Sequence, residues 1–333
     1  MTDVLITTAP FAEQNEFPIE ILRANRISYK TNPHKRKLTE DELKKLVGKV
    51  KVIIAGTEPI TKAVMDKAPN LRHISRVGVG LDNVDLVEAE RRGIGVSYTP
   101  DAPAPAVAEL TVGLMISLLR KIGHANLLMH SGKWERFMGR RISEITLGLI
   151  GVGRIGGRVL RRLRGFGSPR VLVNDLLADQ SLSRAVPELK LEWVSKELIF
   201  READLISLHV PLTLKTKGMI GAKEFGAMKP DALLINTSRG AVVNEDALYT
   251  ALKKNTIGGA AIDVFEKEPY DGPLQELHNC ILTSHMGSMS LDCRTRMELE
   301  ATEEAIRFLL GKPLLSLVPK EEYELQKEFG GKK

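Results

Sequence analysis

The chain has 333 residues, 5% aromatics, two cysteines and a formal charge of +6, a length that suits two domains. Cys280 and Cys293 make neither a disulfide framework nor a metal-ligand spacing, and the longest apolar stretch, Ala106 to Leu119, is too short to span a bilayer and carries Glu109. The N-terminus lacks a secretory basic region, and the basic residues are scattered or ride on helices (Arg158, Arg161, Arg162, Arg164) without interleaved aromatics, so a cytoplasmic protein without nucleic-acid, membrane or metal partners is expected.

Taken in order, the first hundred residues alternate strand-like and helix-like runs. Val4 to Thr8, Lys51 to Ala55, His73 to Val77 and Gly95 to Thr99 have strand character. Between them, Ile19 to Ala24, Asp41 to Leu46, a segment capped by Thr61 and running to Lys67, and Leu86 to Arg91 read as helices. Thr39-Glu40-Asp41-Glu42 is a capping box for the second. Such alternation implies a parallel sheet. Pro100 to Pro105 is too proline-rich for helix or central strand and reads as a hinge. Ala106 to Arg120 then reads as a helix apolar nearly all round, which should be buried on several sides.

The stretch from Ile145 to Asp175 organises the rest. An apolar run enters Gly151-Val152-Gly153-Arg154-Ile155-Gly156, a helical pattern follows, and a second apolar run, Val171 to Val173, ends near Asp175. Gly151 permits the tight turn, Gly153 lets backbone approach a pyrophosphate, and Gly156 allows close packing of helix on sheet. The helix N-terminus offers N–H groups and partial positive charge to phosphates. Asp175 stands where a carboxylate can accept from an adenosine ribose, which favours NAD over NADP because a 2′-phosphate would meet its charge.

Further strand-like runs follow at Asp204 to Val210, Ala232 to Ser238, Gly259 to Val264 and Ile281 to Ser284. They lead into His209-Val210-Pro211, Thr237-Ser238-Arg239-Gly240, Asp263 and His285, polar residues at the strand ends where open α/β sheets bind ligands. Asn244 caps a helix from Glu245 to Lys253, Met289 to Leu310 reads as a final amphipathic helix, and the charge-rich tail from Lys320 is expected to be solvated. Arg239, Glu268 and His285 stand out chemically. Hydride exchange at a carbon bearing oxygen needs a proton donor or acceptor, which histidine supplies near neutral pH, and arginine binds an adjacent carboxylate in two places. Spacing alone leaves the choice open between this and a structural histidine, a turn arginine and a solvated Glu266-Lys267-Glu268-Pro269 loop.

Seven blocks, RVGVGLDNVD (76–85), AVAELTVGL (106–114), GLIGVGRIG (148–156), LHVPLTLKT (208–216), INTSRG (235–240), AAIDVFEKEP (260–269) and LTSHMGS (282–288), occur in order. In these the chain resembles the D-isomer-specific 2-hydroxyacid dehydrogenases, the family of D-3-phosphoglycerate dehydrogenase, glyoxylate/hydroxypyruvate reductase and formate dehydrogenase. The resemblance runs from Val4 to about Leu310. It implies that Arg239 orients the substrate, that Glu268 holds His285, and that His285 donates and accepts the proton. It further implies that the N–H groups of Val79 and Gly80 bind the substrate carboxylate. Cofactor contacts are implied for Arg154, Ile155, Asp175, Val210, Pro211, Thr216, Thr237, Ser238, Arg239 and Asp263. Arg76 aligns with a basic position near the substrate phosphate in phosphoglycerate members. Ser284 stands where the family has proline, so a looser loop before His285 is expected.

The resemblance also implies two doubly wound, Rossmann-like parallel-sheet domains, one flavodoxin-like and one NAD-binding, with a cleft between them. A discontinuous substrate domain (1–103 plus 288–333) would surround an NAD domain (104–287). A homodimer is implied, with Ala106 to Arg120 and Gly132-Lys133-Trp134 as the subunit contact. The expected activity is NAD-dependent oxidation and reduction of a 2-hydroxy/2-oxo acid pair, first 3-phosphoglycerate/3-phosphohydroxypyruvate, with hydroxypyruvate, glyoxylate or phosphonopyruvate as alternatives. A reading of another class is an NAD-responsive protein-binding scaffold like the C-terminal-binding corepressors.

Overall fold

A computed structural model describes residues 2–330. Contacts divide the chain into two compact units: residues up to Pro103 together with those from Met289 onward, and Ala104–Ser288. In the first, β1 (Val4–Ile6), β2 (Tyr29–Thr31), β3 (Val52–Ala55), β4 (His73–Arg76) and β5 (Gly95–Ser97) form a parallel sheet in the order β2-β1-β3-β4-β5. This is the flavodoxin-like order, with its topological switch between β1 and β3. Every residue of β1, β3 and β4 is buried, which explains the unbroken apolar runs of β1 and β3, whereas β4 buries the polar His73, Ser75 and Arg76. β2 lies at an edge with its residues part-exposed, so YKT carries no apolar signal and the sequence does not announce it.

Helix starts follow local chemistry. Thr39 and Glu42 form the expected capping box, and Thr61 caps Lys62–Asp66 through the N–H of Val64. The long helix Leu291–Leu309 belongs to this first unit. It buries Met297, Ala301 and Ala305, accepts the Ser75 hydroxyl at the Ala301 carbonyl (2.7 Å), and stacks Phe308 on buried His73 at 4.8 Å. The charged tail differs from expectation. Lys320–Gly330 is a helix docked along Leu86–Arg91, where Gln326 bonds the Val84 carbonyl and the Leu86 N–H while Tyr323 packs on the core. Its few core-facing groups meet partners far back in the chain, so sequence composition alone reads it as solvated.

The second unit carries β6 (Thr146–Ile150), β7 (Arg170–Asn174), β8 (Lys190–Trp193), β9 (Leu205–Leu208), β10 (Leu233–Asn236), β11 (Gly259–Ile262) and β12 (Cys280–Leu282). All are parallel, in the order β12-β11-β10-β9-β6-β7-β8. Read from β8, this is the dinucleotide-binding order extended by one strand, with the switch between β6 and β9. Both sheets are therefore doubly wound α/β arrangements. The first helix begins at Ala104, two residues earlier than expected, because a proline in the first turn surrenders an N–H that has no helical partner anyway. Within its unit this helix is buried along one face, through Val107, Ala108, Thr111, Val112 and Met115, while Glu109 and Gly113 are exposed. Among the described residues, no helix is long and apolar enough to cross a membrane.

Candidate active site

The glycine turn follows β6 at the switch point. Gly151 has φ +90°, and a Cβ there would lie 2.6 Å from the His209 carbonyl oxygen, so only glycine suits both the turn and the neighbouring chain. A Cβ on Gly156 would fall 2.1 Å from the Gly151 carbonyl oxygen. Gly156 thus closes the turn upon itself; the expected helix-to-sheet contact appears as a secondary feature, 3.5 Å to the His209 ring. Gly153 is different. It is the N-cap of Arg154–Leu163 without a side-chain cap, and a Cβ on it would meet nothing within 4 Å. No contact within the chain calls for glycine there, whereas close approach by a phosphate does. Asp175 Oδ2 accepts the Val152 N–H at 2.7 Å, which places a carboxylate beside the turn.

His209 lies beneath this turn. Its Nε2 meets the Ser207 hydroxyl at 2.9 Å, its Nδ1 is enclosed without a partner, and burial pushes the imidazole down to about 4. Although the residue as a whole is only half-buried, the ring stays neutral at physiological pH. The sequence displays His209 as one more strand-end polar residue; only the fold makes it the floor of the turn. Past it, the Thr216 hydroxyl donates to the Pro211 carbonyl at 2.6 Å and receives the Thr213 N–H, closing the Val210 to Thr216 loop.

Beyond β10, β11 and β12 three polar groups come together. His285 has φ +53°, an uncommon conformation for histidine, and its N–H donates to the Asp263 carbonyl at 2.8 Å. The Asp263 carboxylate, itself buried, accepts from the Thr283 hydroxyl (2.6 Å) and from the N–H groups of Met286 (2.8 Å) and Gly287 (2.9 Å). Asp263 therefore ties down the loop that Ser284 leaves without a proline. His285 Nδ1 stands 2.9 and 3.1 Å from the two Glu268 oxygens. A carboxylate accepts only, so Nδ1 carries the hydrogen, and Nε2 is the nitrogen left for chemistry.

Arg239 follows Thr237 and Ser238 at the end of β10. Ser238 is fixed by the Asn236 side chain, Thr237 faces the Thr111 hydroxyl at 3.1 Å, and Arg239 Nη1 donates to the Ser238 carbonyl at 2.7 Å. A Cβ on Gly240 would come within 2.0 Å of the Phe265 carbonyl carbon, so the Arg239 turn and the Phe265–Glu268 segment meet backbone to backbone. That contact is hidden in an ordinary Arg-Gly pair. Glu268 is steadied by the Phe265 N–H, which donates to its Oε1 at 3.1 Å.

In the first unit, the loop after β4 contains Val79 and Gly80. Arg76 beneath it is only 5% exposed, and its guanidinium donates to the Val77 carbonyl and to Asn83 Oδ1 (3.1 Å). Asn83 in turn donates to the carbonyls of Gly56 and Glu58. Arg76 is a brace for this loop.

The family model for the D-isomer specific 2-hydroxyacid dehydrogenase NAD binding domain matches residues 112–287. The chain is 40% identical to a glyoxylate reductase of Korarchaeum cryptofilum over 273 residues, covering 80% of this chain and 81% of that one. The chain belongs to this family. It is also 39% identical to a D-3-phosphoglycerate dehydrogenase of Methanocaldococcus jannaschii, across 83% of this chain and 53% of the relative. A D-lactate dehydrogenase from Aquifex aeolicus, solved with NAD and lactic acid, superposes with a TM-score of 0.80 at 28% identity, covering 93% of this chain and 96% of that one. As a family member the protein is an NAD-dependent D-2-hydroxyacid dehydrogenase, an oxidoreductase acting on a CH–OH group. The turn fits the cofactor: Gly153 leaves a cradle that a Cβ would fill, at a helix N-terminus without a side-chain cap, beside the carboxylate of Asp175.

Proposed function

We propose that this dehydrogenase reduces a small unphosphorylated 2-oxo acid, glyoxylate or hydroxypyruvate, with Arg239, Glu268 and His285 as its catalytic residues. The 2.9 Å pair of His285 Nδ1 and Glu268 carries the reading. NADH, when bound, supplies the hydride. Protonated His285 presents Nε2 to the substrate oxygen and gives up its proton as that oxygen gains charge. Glu268 fixes the ring's orientation and tautomer. The Arg239 fork holds the substrate carboxylate. In this reading the first unit offers the N–H groups of Val79 and Gly80 to a substrate carboxylate. In the second, Arg154, Ile155, Val210, Pro211, Thr216, Thr237, Ser238 and Asp263 line the cofactor, alongside the glycine turn and Asp175.

The preference for an unphosphorylated substrate rests on Arg76. Arg76 aligns with a position near the substrate phosphate in phosphoglycerate members, and its buried guanidinium bonds the Val77 carbonyl and Asn83, which supports this preference. Similarity to the Korarchaeum glyoxylate reductase supports the same choice. A second reading, 3-phosphohydroxypyruvate, draws on similarity to the Methanocaldococcus enzyme. The test is NADH oxidation with glyoxylate, hydroxypyruvate, 3-phosphohydroxypyruvate and phosphonopyruvate, with His285→Ala as control. Fastest turnover of glyoxylate or hydroxypyruvate, lost by about a hundredfold or more in the control, supports the reading. A preference for 3-phosphohydroxypyruvate establishes the second.

A homodimer belongs to the same proposal. The helix Ile122–His130 has no buried residue, and Ile122, Leu127, Met129, Trp134 and Met138 are all more than half exposed. Apolar side chains concentrated in one segment mark a protein contact, and a second copy is the simplest partner. Sedimentation equilibrium giving twice the chain mass is expected; a monomer at every concentration overturns it.

A further inference from the structure

Two carboxylates grip successive N–H groups at the start of the segment that carries Glu268. Glu268 Oε1 takes that of Phe265 at 3.1 Å, and Glu245 Oε1 takes that of Glu266 at 2.7 Å. Glu245 is the first residue of the helix Glu245–Lys253, directly after its cap Asn244. An acidic residue there is ordinarily explained by the helix dipole, a role it can fill while fully hydrated. Asp246, its neighbour, is exposed in this manner, whereas Glu245 is part-buried. Burial raises the Glu245 carboxyl above the usual carboxylate range, and the negative charges of Glu266, Asp246 and Glu268 raise it further. A neutral side chain would escape that repulsion. The close approach at Gly240, where a Cβ would fall 2.0–2.4 Å from Phe265 and Glu266 backbone atoms, holds the Arg239 turn against the same segment. Phe265 stacks on Tyr270 at 4.2 Å from the other side.

We propose that Glu245 is a positioning residue for the Glu268–His285 pair. It anchors the backbone two residues before Glu268 and adds its negative charge to the field that His285 feels. The proposal rests on the reading of His285 as proton donor. The charged and titratable groups around Glu245 are Asp246 on its own helix and Glu266, Glu268 and Tyr270 on the following segment. Arg239 and protonated His285 supply the site's positive charge.

The experiment compares Glu245→Gln, which keeps an oxygen acceptor and removes the charge, with Glu245→Ala, which removes both. Reduction of the best 2-oxo acid is followed across the pH range, with kcat and KM resolved, and His285→Ala alongside. Loss of a negative charge beside the segment that carries Glu268 weakens the field that holds the proton at the site. The alkaline limb of the Gln variant should therefore lie about half a pH unit lower. The Ala variant should show the same displacement and also lose kcat roughly tenfold, because its anchor to Glu266 is gone. KM for NADH should hold within about twofold in both, the change being remote from the glycine turn. An alkaline limb unmoved in both variants overturns the proposal, as does a uniform loss of kcat at every pH that tracks a fall in Tm. An inactive His285→Ala with unmoved Glu245 profiles defeats this inference alone; a fully active His285→Ala defeats the acid–base reading with it.

Discussion

Each unit carries the tripeptide Gly-Val-Gly just past a sheet strand, as Gly78-Val79-Gly80 in the first and Gly151-Val152-Gly153 in the second. Their surroundings differ in three respects. The first follows β4, away from its sheet's switch, and five further residues precede the helix Leu86–Arg91. Chain groups hold it: the Gly78 N–H donates to the Thr99 hydroxyl at 2.8 Å, and a Cβ on Gly78 would lie 3.0 Å from the Arg76 guanidinium. The second follows β6 at the switch and passes directly into Arg154–Leu163, with an open face at Gly153 and the carboxylate of Asp175 beside it. A cation braces one loop and an anion flanks the other. Glycine spelling therefore does not make a nucleotide turn; the helix that follows, the switch point and the nearby charge do.

The sharpest way to break this comparison is within the second turn. Gly156→Ala sets a methyl 2.1 Å from the Gly151 oxygen, so the turn must open. NADH Kd by fluorescence titration should rise about a hundredfold or more, with a loss of about 1–3 kcal/mol in urea unfolding. Gly153→Ala meets no chain atom within 4 Å, so it should weaken NADH binding with a much smaller change in stability. Equal destabilisation by both would contradict the assignment of Gly153 to the ligand.

Arg76→Ala tests the first loop. Removing a buried guanidinium leaves the Val77 carbonyl and Asn83 without their donor and should cost about 2–3 kcal/mol in denaturant unfolding. KM should rise for every 2-oxo acid alike. A rise confined to phosphorylated compounds would turn Arg76 from brace into phosphate ligand. A smaller effect is expected at the acidic flank of the second loop: Asp175→Ala should narrow the NADH over NADPH preference about tenfold in kcat/KM. An unchanged ratio would place cofactor choice elsewhere.

The last comparison takes one buried histidine ring from each unit. Burial lowers His73 and His209 to about 4, from an ordinary 6.5. Folded, both stay neutral through that window, while the unfolded chain takes up protons below 6.5. Stability should therefore fall as pH drops from 6.5 towards 4, by at most about 1.4 kcal/mol per pH unit for each histidine, and these two contribute no change above 6.5. Urea midpoints at several pH values, for the parent and His73→Gln, measure the first unit's share. A pH slope identical in the two proteins would remove His73 from the account.

Much of this molecule is legible in its residue order. The central strands announce themselves because both their faces are buried, and Thr39, Thr61 and Asn244 mark helix starts because capping is local chemistry. The edge strands Tyr29–Thr31 and Lys190–Trp193 escape notice, since one-sided pairing and exposure leave them no apolar run. The helix Ile122–His130 escapes for the opposite reason: its side chains bury nothing in their own unit, so its pattern points to no core. Among site groups, the glycine turn with Asp175 is continuous in sequence and can be read directly. Arg239, Glu268 and His285 can only be suspected residue by residue, or recognised through resemblance.

By itself, the sequence determined the alternation of strand and helix, the dinucleotide turn and the identities of the polar residues at strand ends. These depend on capping, periodicity and glycine geometry, which act over a few neighbouring residues. Only the tertiary structure decided that Arg76 braces a loop, that Asp263 ties the His285 segment and that Glu245 reaches Glu266. The physical reason is distance along the chain. The bonds to Asn83, Glu266 and Gly287 span seven, 21 and 24 residues, beyond the reach of capping and periodicity.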